Sequence, residues 1–279
     1  MQLRKPAVAG QFYPGDRSTL TNMLDELFTS VQNNKIEIDG HIAGLIAPHA
    51  GYIFSGKQAA KAYYHLKDRS YKRVCIISPS HREYFPAISV YPGAGYQTPL
   101  GTCPVDEHAR SLALECNGII SSMQGHRAEH ALEVQLPFIQ YFLGNIPILP
   151  MVMGDQGKES IEEAGECVRK LYDAYGKDIL FVASSDLSHF HDSRTAENMD
   201  GELISLLEKA DIEQIYKKLR SNDLEACGGG PIIAILKGLD INKEQIRVLG
   251  YSHSGEVMND RDSVVGYTSA LIFKNPKEH

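Results

Sequence analysis

Ile42-Ala43-Gly44-Leu45-Ile46-Ala47-Pro48-His49, Val74-Cys75-Ile76-Ile77-Ser78-Pro79-Ser80-His81 and Ile179-Leu180-Phe181-Val182-Ala183-Ser184-Ser185-Asp186-Leu187-Ser188-His189 follow one plan. Each is a short apolar run, then small or turn-forming residues, then a histidine. Continuous apolar runs of this length, separated by helical patterns, read as buried parallel strands. Loops leaving the carboxyl ends of such strands gather at one edge of the sheet, where ligands bind. Three imidazoles delivered to that edge suggest a metal site, because neutral imidazole is the commonest metal ligand.

Outward from these runs, strands and helices alternate from about residue 42 to the end. Before them, Tyr13-Pro14-Gly15 marks a turn and Asp16 or Ser18 can cap a helix. Leu20, Met23, Leu24, Leu27 and Phe28 give that helix one apolar face. Residues 56–66 read as a helix, 88–91 as a strand and 92–104 as a Gly/Pro-rich loop. Helical patterns cover 106–116 and 130–143, the second threatened with a kink at Pro137. A strand at 148–153, a long amphipathic helix through Ile161, Ala164, Val168, Leu171 and Tyr175, and helices near 196–209 and 211–220 follow. Gly228-Gly229-Gly230-Pro231 opens one more helix, and 247–251 and 264–273 finish as strands. The expectation is one three-layer αβα domain over residues 1–279 with a mainly parallel or mixed central sheet.

Composition narrows the class. A formal charge of -7 with no strong basic run excludes nucleic acid as the main partner. Five cysteines in no CxxC pair indicate neither a disulfide framework nor a zinc ribbon. The first residues lack the apolar core of a signal peptide, and no window approaches a membrane span. These points lead to the expectation of a soluble cytoplasmic protein.

His49 and His81 stand beside proline and small residues that leave room for a ligand. Asp186 and His189 lie three apart after the third strand. Asp186 could complete a two-histidine, one-carboxylate site or orient an imidazole from behind, while His189 acts as acid or base; a local cap is the plainer role for Asp186. His191 reads as a surface residue. Cys227 precedes three glycines at the start of a helix, where a thiol pKa is expected to fall, suiting metal binding or nucleophilic attack. A buried inert thiol is the plainer reading. His126-Arg127-Ala128-Glu129-His130 matches the H-x-x-E-H zinc peptidase pattern, but Gly125 and Pro137 leave little room for the long helix it needs. Glu129, His130 and Glu133 could instead approach the pocket from the first turns of a helix.

With these pieces in view, the chain resembles the Memo family. The resemblance lies in Ala9-Gly10-Gln11-Phe12-Tyr13-Pro14, Ala47-Pro48-His49-Ala50-Gly51-Tyr52, Ser78-Pro79-Ser80-His81, Glu129-His130-Ala131-Leu132-Glu133-Val134-Gln135-Leu136-Pro137, Ser184-Ser185-Asp186-Leu187-Ser188-His189 and Cys227-Gly228-Gly229-Gly230-Pro231. It implies a fold like that of class III extradiol dioxygenases, with a cysteine in place of a carboxylate ligand. His49, His81 and Cys227 would then hold a transition metal, iron or copper ahead of zinc, with Asp186 and His189 catalytic in the same pocket. It also implies partners: a radical S-adenosylmethionine enzyme and an AMMECR-type protein, beside an unknown small molecule or peptide. Animal relatives carry Arg-His where this chain has Gly229-Gly230, so a basic contribution to phosphopeptide binding is missing here. Three functions follow as expectations: a metal-dependent redox protein or oxygenase, a cysteine-dependent hydrolase or transferase, and a non-catalytic binding module.

Overall fold

A computed structural model describes residues 2–38 and 40–274. In chain order the elements are β1 (Leu3–Arg4), α1 (Arg17–Val31), β2 (His41–Ala47), α2 (Tyr52–Tyr63), β3 (Arg73–Pro79), β4 (Ile88–Val90), β5 (Gly95–Thr98), β6 (Gly101–Pro104) and α3 (Glu107–Ala113). There follow β7 (Ile119–Ser121), α4 (Leu136–Leu143), β8 (Ile148–Met153), α5 (Lys158–Tyr175), β9 (Ile179–Ser184), β10 (His189–His191) and α6 (Ser193–Glu208). The chain continues through α7 (Ile212–Arg220), α8 (Gly229–Gly238), β11 (Ile246–His253), α9 (Gly255–Met258) and β12 (Val264–Lys274).

The three strands of the opening quotation, with β8, form the parallel centre of a large mixed sheet. Its order is β10-β12-β2-β9-β3-β8-β4-β7, and β11 pairs with β12. Pairings β2–β9, β9–β3 and β3–β8 are parallel, whereas β12 runs antiparallel to β2 and β4 to β8. These central strands have no solvent-facing side, so alternate residues enter two separate cores. Cys75 and Ile77, with Phe181 and Ala183, join the core under α3, α5, α6, α7 and α8. Val74, Ile76, Leu180 and Val182 join the core under α1, α2 and α4. That is a three-layer α/β fold, as the continuous apolar runs require. In β2 the alternation slips: Ile272 pairs with Gly44 but Phe273 with Ile42, which leaves Ala43 as the extra residue of a bulge.

Besides the short β7, β10 and α9, which the pattern reading does not see, the structure departs from it in two larger stretches. Residues 92–104 are not a bare loop. They contain the β5–β6 hairpin, joined by β1 in a separate three-stranded sheet, with Tyr96 and Cys103 buried against the second core. A four-residue strand beside glycine and proline carries too little alternation to be seen. The pattern over 130–143 is not one helix either. It is a 3-10 turn at Glu133–Gln135 and then α4, with Pro137 in its first turn, where a missing N–H costs nothing. Caps behave as expected: Asp16 accepts from the Thr19 amide at 2.9 Å to start α1.

The glycine run before α8 is a packing requirement. A Cβ on Gly228 would lie 2.1 Å from the Ser184 carbonyl oxygen and 2.7 Å from Ser185 Cβ. The run therefore seats the start of α8 on the end of β9. Gly228→Ala is expected to cost about 1–3 kcal/mol by forcing these backbones apart. Urea unfolding of the variant checks this, and unchanged stability would show that the contact gives way freely.

Candidate metal centre

β2, β9 and β3 lie side by side in register, Ala47 beside Ser184 and Ala183 beside Ile77, so their carboxyl ends deliver His49, Asp186 and His81 to one crevice. The His49 and His81 rings are 5.0 Å apart between centroids. A third ring, His130, lies 5.5 Å from His49 and 4.7 Å from His81. Ligand atoms of these three histidines lie within 4.8 Å of one another, the one such group of three among the described residues.

Hydrogen bonding fixes which nitrogens face inward. The Ser184 hydroxyl donates to the Ala131 carbonyl at 2.7 Å and accepts from the Gln135 amide at 2.8 Å. Its single hydrogen is thus spent, so its 2.9 Å contact with His49 Nδ1 requires that Nδ1 carry the proton. Nε2 of His49 is left as a bare lone pair. Burial, then the neighbouring His81, holds the His49 pKa well below its ordinary value, and the imidazole stays neutral.

The same logic applies at His81. Glu129 accepts from its backbone N–H at 2.5 Å and from its Nδ1 at 2.9 Å. Burial alone would raise the Glu129 pKa. The His81 hydrogen bond and charge, together with the Ala131 and His81 amides, outweigh it and bring the carboxyl down to about 2. An ionised carboxylate only accepts, so His81 Nδ1 carries a proton, and Nε2 is the nitrogen that can ligate when the ring is neutral. Glu129 also takes the amides of His130 and Ala131, each at 3.0 Å. His130 packs against Phe12, 4.8 Å between centroids, and its buried Nδ1 stands 3.2 Å from Glu129 Oε1 without hydrogen-bond geometry. Burial, and after it the competition of the adjacent His49 ring for a proton, lowers His130 to about 4.

Cys227 reaches the crevice from the loop that leads into α8. Its Sγ is 3.1 Å from His49 Nε2 and accepts the Asp186 amide at 3.2 Å. The expectation of a lowered thiol pKa is corrected here. Burial, followed by the Asp186 carboxylate, pushes the thiol far up, and the amides of Asp186 and Gly228 do not compensate. The helix start cannot help more, because its amides are already spent. Ser185 Oγ accepts from Gly228 N at 2.9 Å, Gln156 Oε1 from Gly230 N at 2.7 Å and the Ala226 carbonyl from Gly229 N at 3.1 Å.

Asp186 neither caps its own turn nor points at His189. Its Oδ1 accepts the backbone amides of His49 at 2.7 Å and Ala50 at 3.3 Å, and its Oδ2 stands 3.9 Å from His49 Nε2. It therefore positions the His49 loop, and burial raises its pKa. His189 Nδ1 donates to the Leu187 carbonyl at 2.7 Å, which leaves its Nε2 open, and Asp186 acts on it only through charge. His191 is tied to Glu225 at 3.0 Å.

The remaining candidates separate cleanly. His126 sits in no helix. Tyr96 and Ser89 occupy its nitrogens at 2.6 and 3.0 Å, so the peptidase pattern has no structural counterpart. Glu133 anchors the N-terminal segment instead of the cluster. It pairs with Arg4 and accepts from Ala7 N at 2.7 Å, Val8 N at 3.0 Å and Tyr13 Oη at 2.6 Å. His126 carries a testable consequence. Burial drives its pKa down to about 3, against the Ser89 carbonyl, whereas an unfolded histidine titrates near 6.5. The stability this represents is full above about pH 6.5 and is lost as pH falls from there towards 3, at up to about 1.4 kcal/mol per pH unit. Urea unfolding of wild type and His126→Gln at pH 7 and 5 should show the variant to be less acid-sensitive; equal slopes would contradict this.

Topology and geometry define a class: a three-layer α/β protein with a cluster of imidazoles at the carboxyl edge of its parallel strands. The chain belongs to the Memo family, whose model, described as Memo-like protein, matches residues 4–271. It is 35% identical to the MEMO1 family protein Ta0237 of Thermoplasma acidophilum over 96% of this chain and 98% of that one. It is 37% identical to the MEMO1 family protein Mbar_A1422 of Methanosarcina barkeri over 97% and 100% respectively. Among solved structures it is similar to the uncharacterized protein JW3007 of Escherichia coli K12, with a TM-score of 0.55 and 13% identity over 83% of this chain and 99% of that one. That likeness is one of fold. Among the described residues no helix is long and apolar enough to cross a membrane.

Proposed function

We propose that the crevice holds one transition-metal ion through Nε2 of His49 and His81 and a third donor, Cys227 or His130, with iron or copper favoured over zinc. The observation that carries this reading is the group of three imidazoles with donor atoms within 4.8 Å. Donors of one tetrahedral ion with bonds of roughly 2.0–2.3 Å lie about 3.3–3.8 Å apart. The cluster is within about 1 Å of that spacing, its imidazoles at 49 and 130 are held neutral, and the buried His130 Nδ1 makes no hydrogen bond although Glu129 Oε1 is 3.2 Å away. Nitrogen and sulfur donors suit these ions better than magnesium or calcium. A bound ion would supply Lewis acidity and, as iron or copper, one-electron chemistry.

The chain's own residues do the rest. Ser184 and Glu129 fix the tautomers of His49 and His81, Asp186 fixes the His49 loop, and His189 Nε2 is available to accept a proton. The substrate is a small molecule or peptide, and the partners in this reading are a radical S-adenosylmethionine enzyme and an AMMECR-type protein in the cytoplasm. The cysteine-hydrolase alternative has little to support it: the thiol is pushed up, and the three glycine amides that could form an oxyanion hole are occupied.

Elemental analysis of untagged protein after loading with iron, copper or zinc tests this reading, with one ion per chain expected and none contradicting it. Cobalt(II) then identifies the third donor. A sulfur-to-metal charge-transfer band lost in Cys227→Ser and kept in His130→Ala assigns Cys227; no such band assigns His130. Glu129→Gln is expected to weaken metal binding by about 10–100-fold, since an amide cannot replace a carboxylate that accepts four N–H groups around His81 and His130. Competition with a chromophoric chelator measures it.

A further inference from the structure

Away from the crevice, the turn after α3 lies along one face of α5. Glu115 pairs with Lys170 at 2.7 Å. A Cβ on Gly118 would fall 1.8 Å from Glu163 Oε2, so the other end of the turn presses on the same helix about two turns earlier. Between these two contacts Cys116 packs against the core cluster that contains Cys167, and the two thiols act on each other's ionisation. Positions 163, 167 and 170 share a helix face, so the alignment follows from α-helical periodicity. Cys167 is fully buried, whereas Cys116 is part-exposed on the turn.

We propose that Cys116 and Cys167 form a peroxide-reactive pair, with Cys116 attacked first and Cys167 resolving it to a disulfide. The Cys116 thiolate attacks one oxygen of a hydroperoxide; the O–O bond breaks, an alcohol or water leaves after protonation, and Cys116 becomes a sulfenic acid. The Cys167 thiol then attacks that sulfur, an S–S bond forms and water leaves. Two electrons pass from the two sulfurs to the peroxide, and both thiol hydrogens end in water or alcohol. The order of attack follows from access and charge. The neighbouring Cys167 thiol and then Lys170 lower the Cys116 thiol, while Cys116 and burial raise Cys167. Cys75, the next thiol inward, is fully buried with its sulfur 3.6 Å from Met151 Sδ, out of reach of the peroxide.

The test is peroxide treatment of the full chain, followed by non-reducing digestion and mass mapping, which reads Cys227 separately. The expected product is a cross-link between the peptides of Cys116 and Cys167, with loss of two hydrogens. Cys116→Ser, on a part-exposed turn, should abolish the cross-link and slow oxidation of Cys167 by at least about tenfold. Cys167→Ala should accumulate a Cys116 sulfenic acid that dimedone traps. If Cys167→Ala does not fold, wild type and Cys116→Ser still decide. Absence of the cross-link in wild type, or its undiminished oxidation in Cys116→Ser, overturns the proposal.

Discussion

Replacing His81 with alanine is expected to reduce transition-metal affinity by more than about a hundredfold, beyond the usual cost of losing a residue that merely orients a ligand, while the fold stays intact. The side chain of His81 is 28% exposed, so truncation leaves no sealed cavity. Glu129 keeps the amides of residues 81, 130 and 131 after the imidazole is gone. His49→Ala should lose metal equally but is the less clean experiment. That ring is buried, and its removal strips Ser184 Oγ of a donor and leaves a void. Chelator competition on His81→Ala, with circular dichroism and urea unfolding in parallel, separates lost ligation from lost folding. Wild-type affinity in a folded His81→Ala chain would remove His81 from the ligand set.

Replacing Arg4 with alanine should destabilise the protein by about 3–5 kcal/mol, the usual consequence of leaving half of a buried ion pair behind. Arg4 is 4% exposed and pairs with the fully buried Glu133. It also donates to the carbonyls of His126 at 2.6 Å and Glu129 at 2.5 Å, and its guanidinium lies 4.7 Å from the Tyr96 ring centre. Removing it leaves a buried carboxylate and two unpaired carbonyls in the segment that carries His130. Urea unfolding at pH 7 reads the loss. Adding Glu133→Gln to Arg4→Ala should cost less than the two single changes summed, because the pair is coupled. Strict additivity would show that Glu133 is satisfied by Ala7, Val8 and Tyr13 alone.

The three strand-to-histidine runs were enough to read the parallel centre of the sheet, because a strand buried on both faces has to be continuously apolar. The same runs led to His49, His81, Asp186 and His189, since a strand end fixes where the next few residues emerge. His130 gave no such signal. It arrives on an irregular segment held by Glu129, Arg4 and Phe12, contacts that span up to 125 residues of sequence. The juxtaposed Glu129-His130 was its one trace. The thiol of Cys227 misled for a related reason. Its place at a helix start is local, but the hydrogen bonds that consume the helix amides come from Ser185 and Gln156, far off in the chain. The β5–β6 hairpin escaped because short strands next to Gly and Pro carry no alternation, and their partner β1 is two residues long.

Crystals soaked in turn with iron, copper and zinc, each measured on both sides of the metal's absorption edge, test the central claim most directly. The account predicts one anomalous peak within roughly 2.0–2.3 Å of Nε2 of His49 and of His81, with Cys227 Sγ or a His130 nitrogen completing the set. Metal-loaded crystals with no peak between those two imidazoles, or with the peak elsewhere on the molecule, would contradict it.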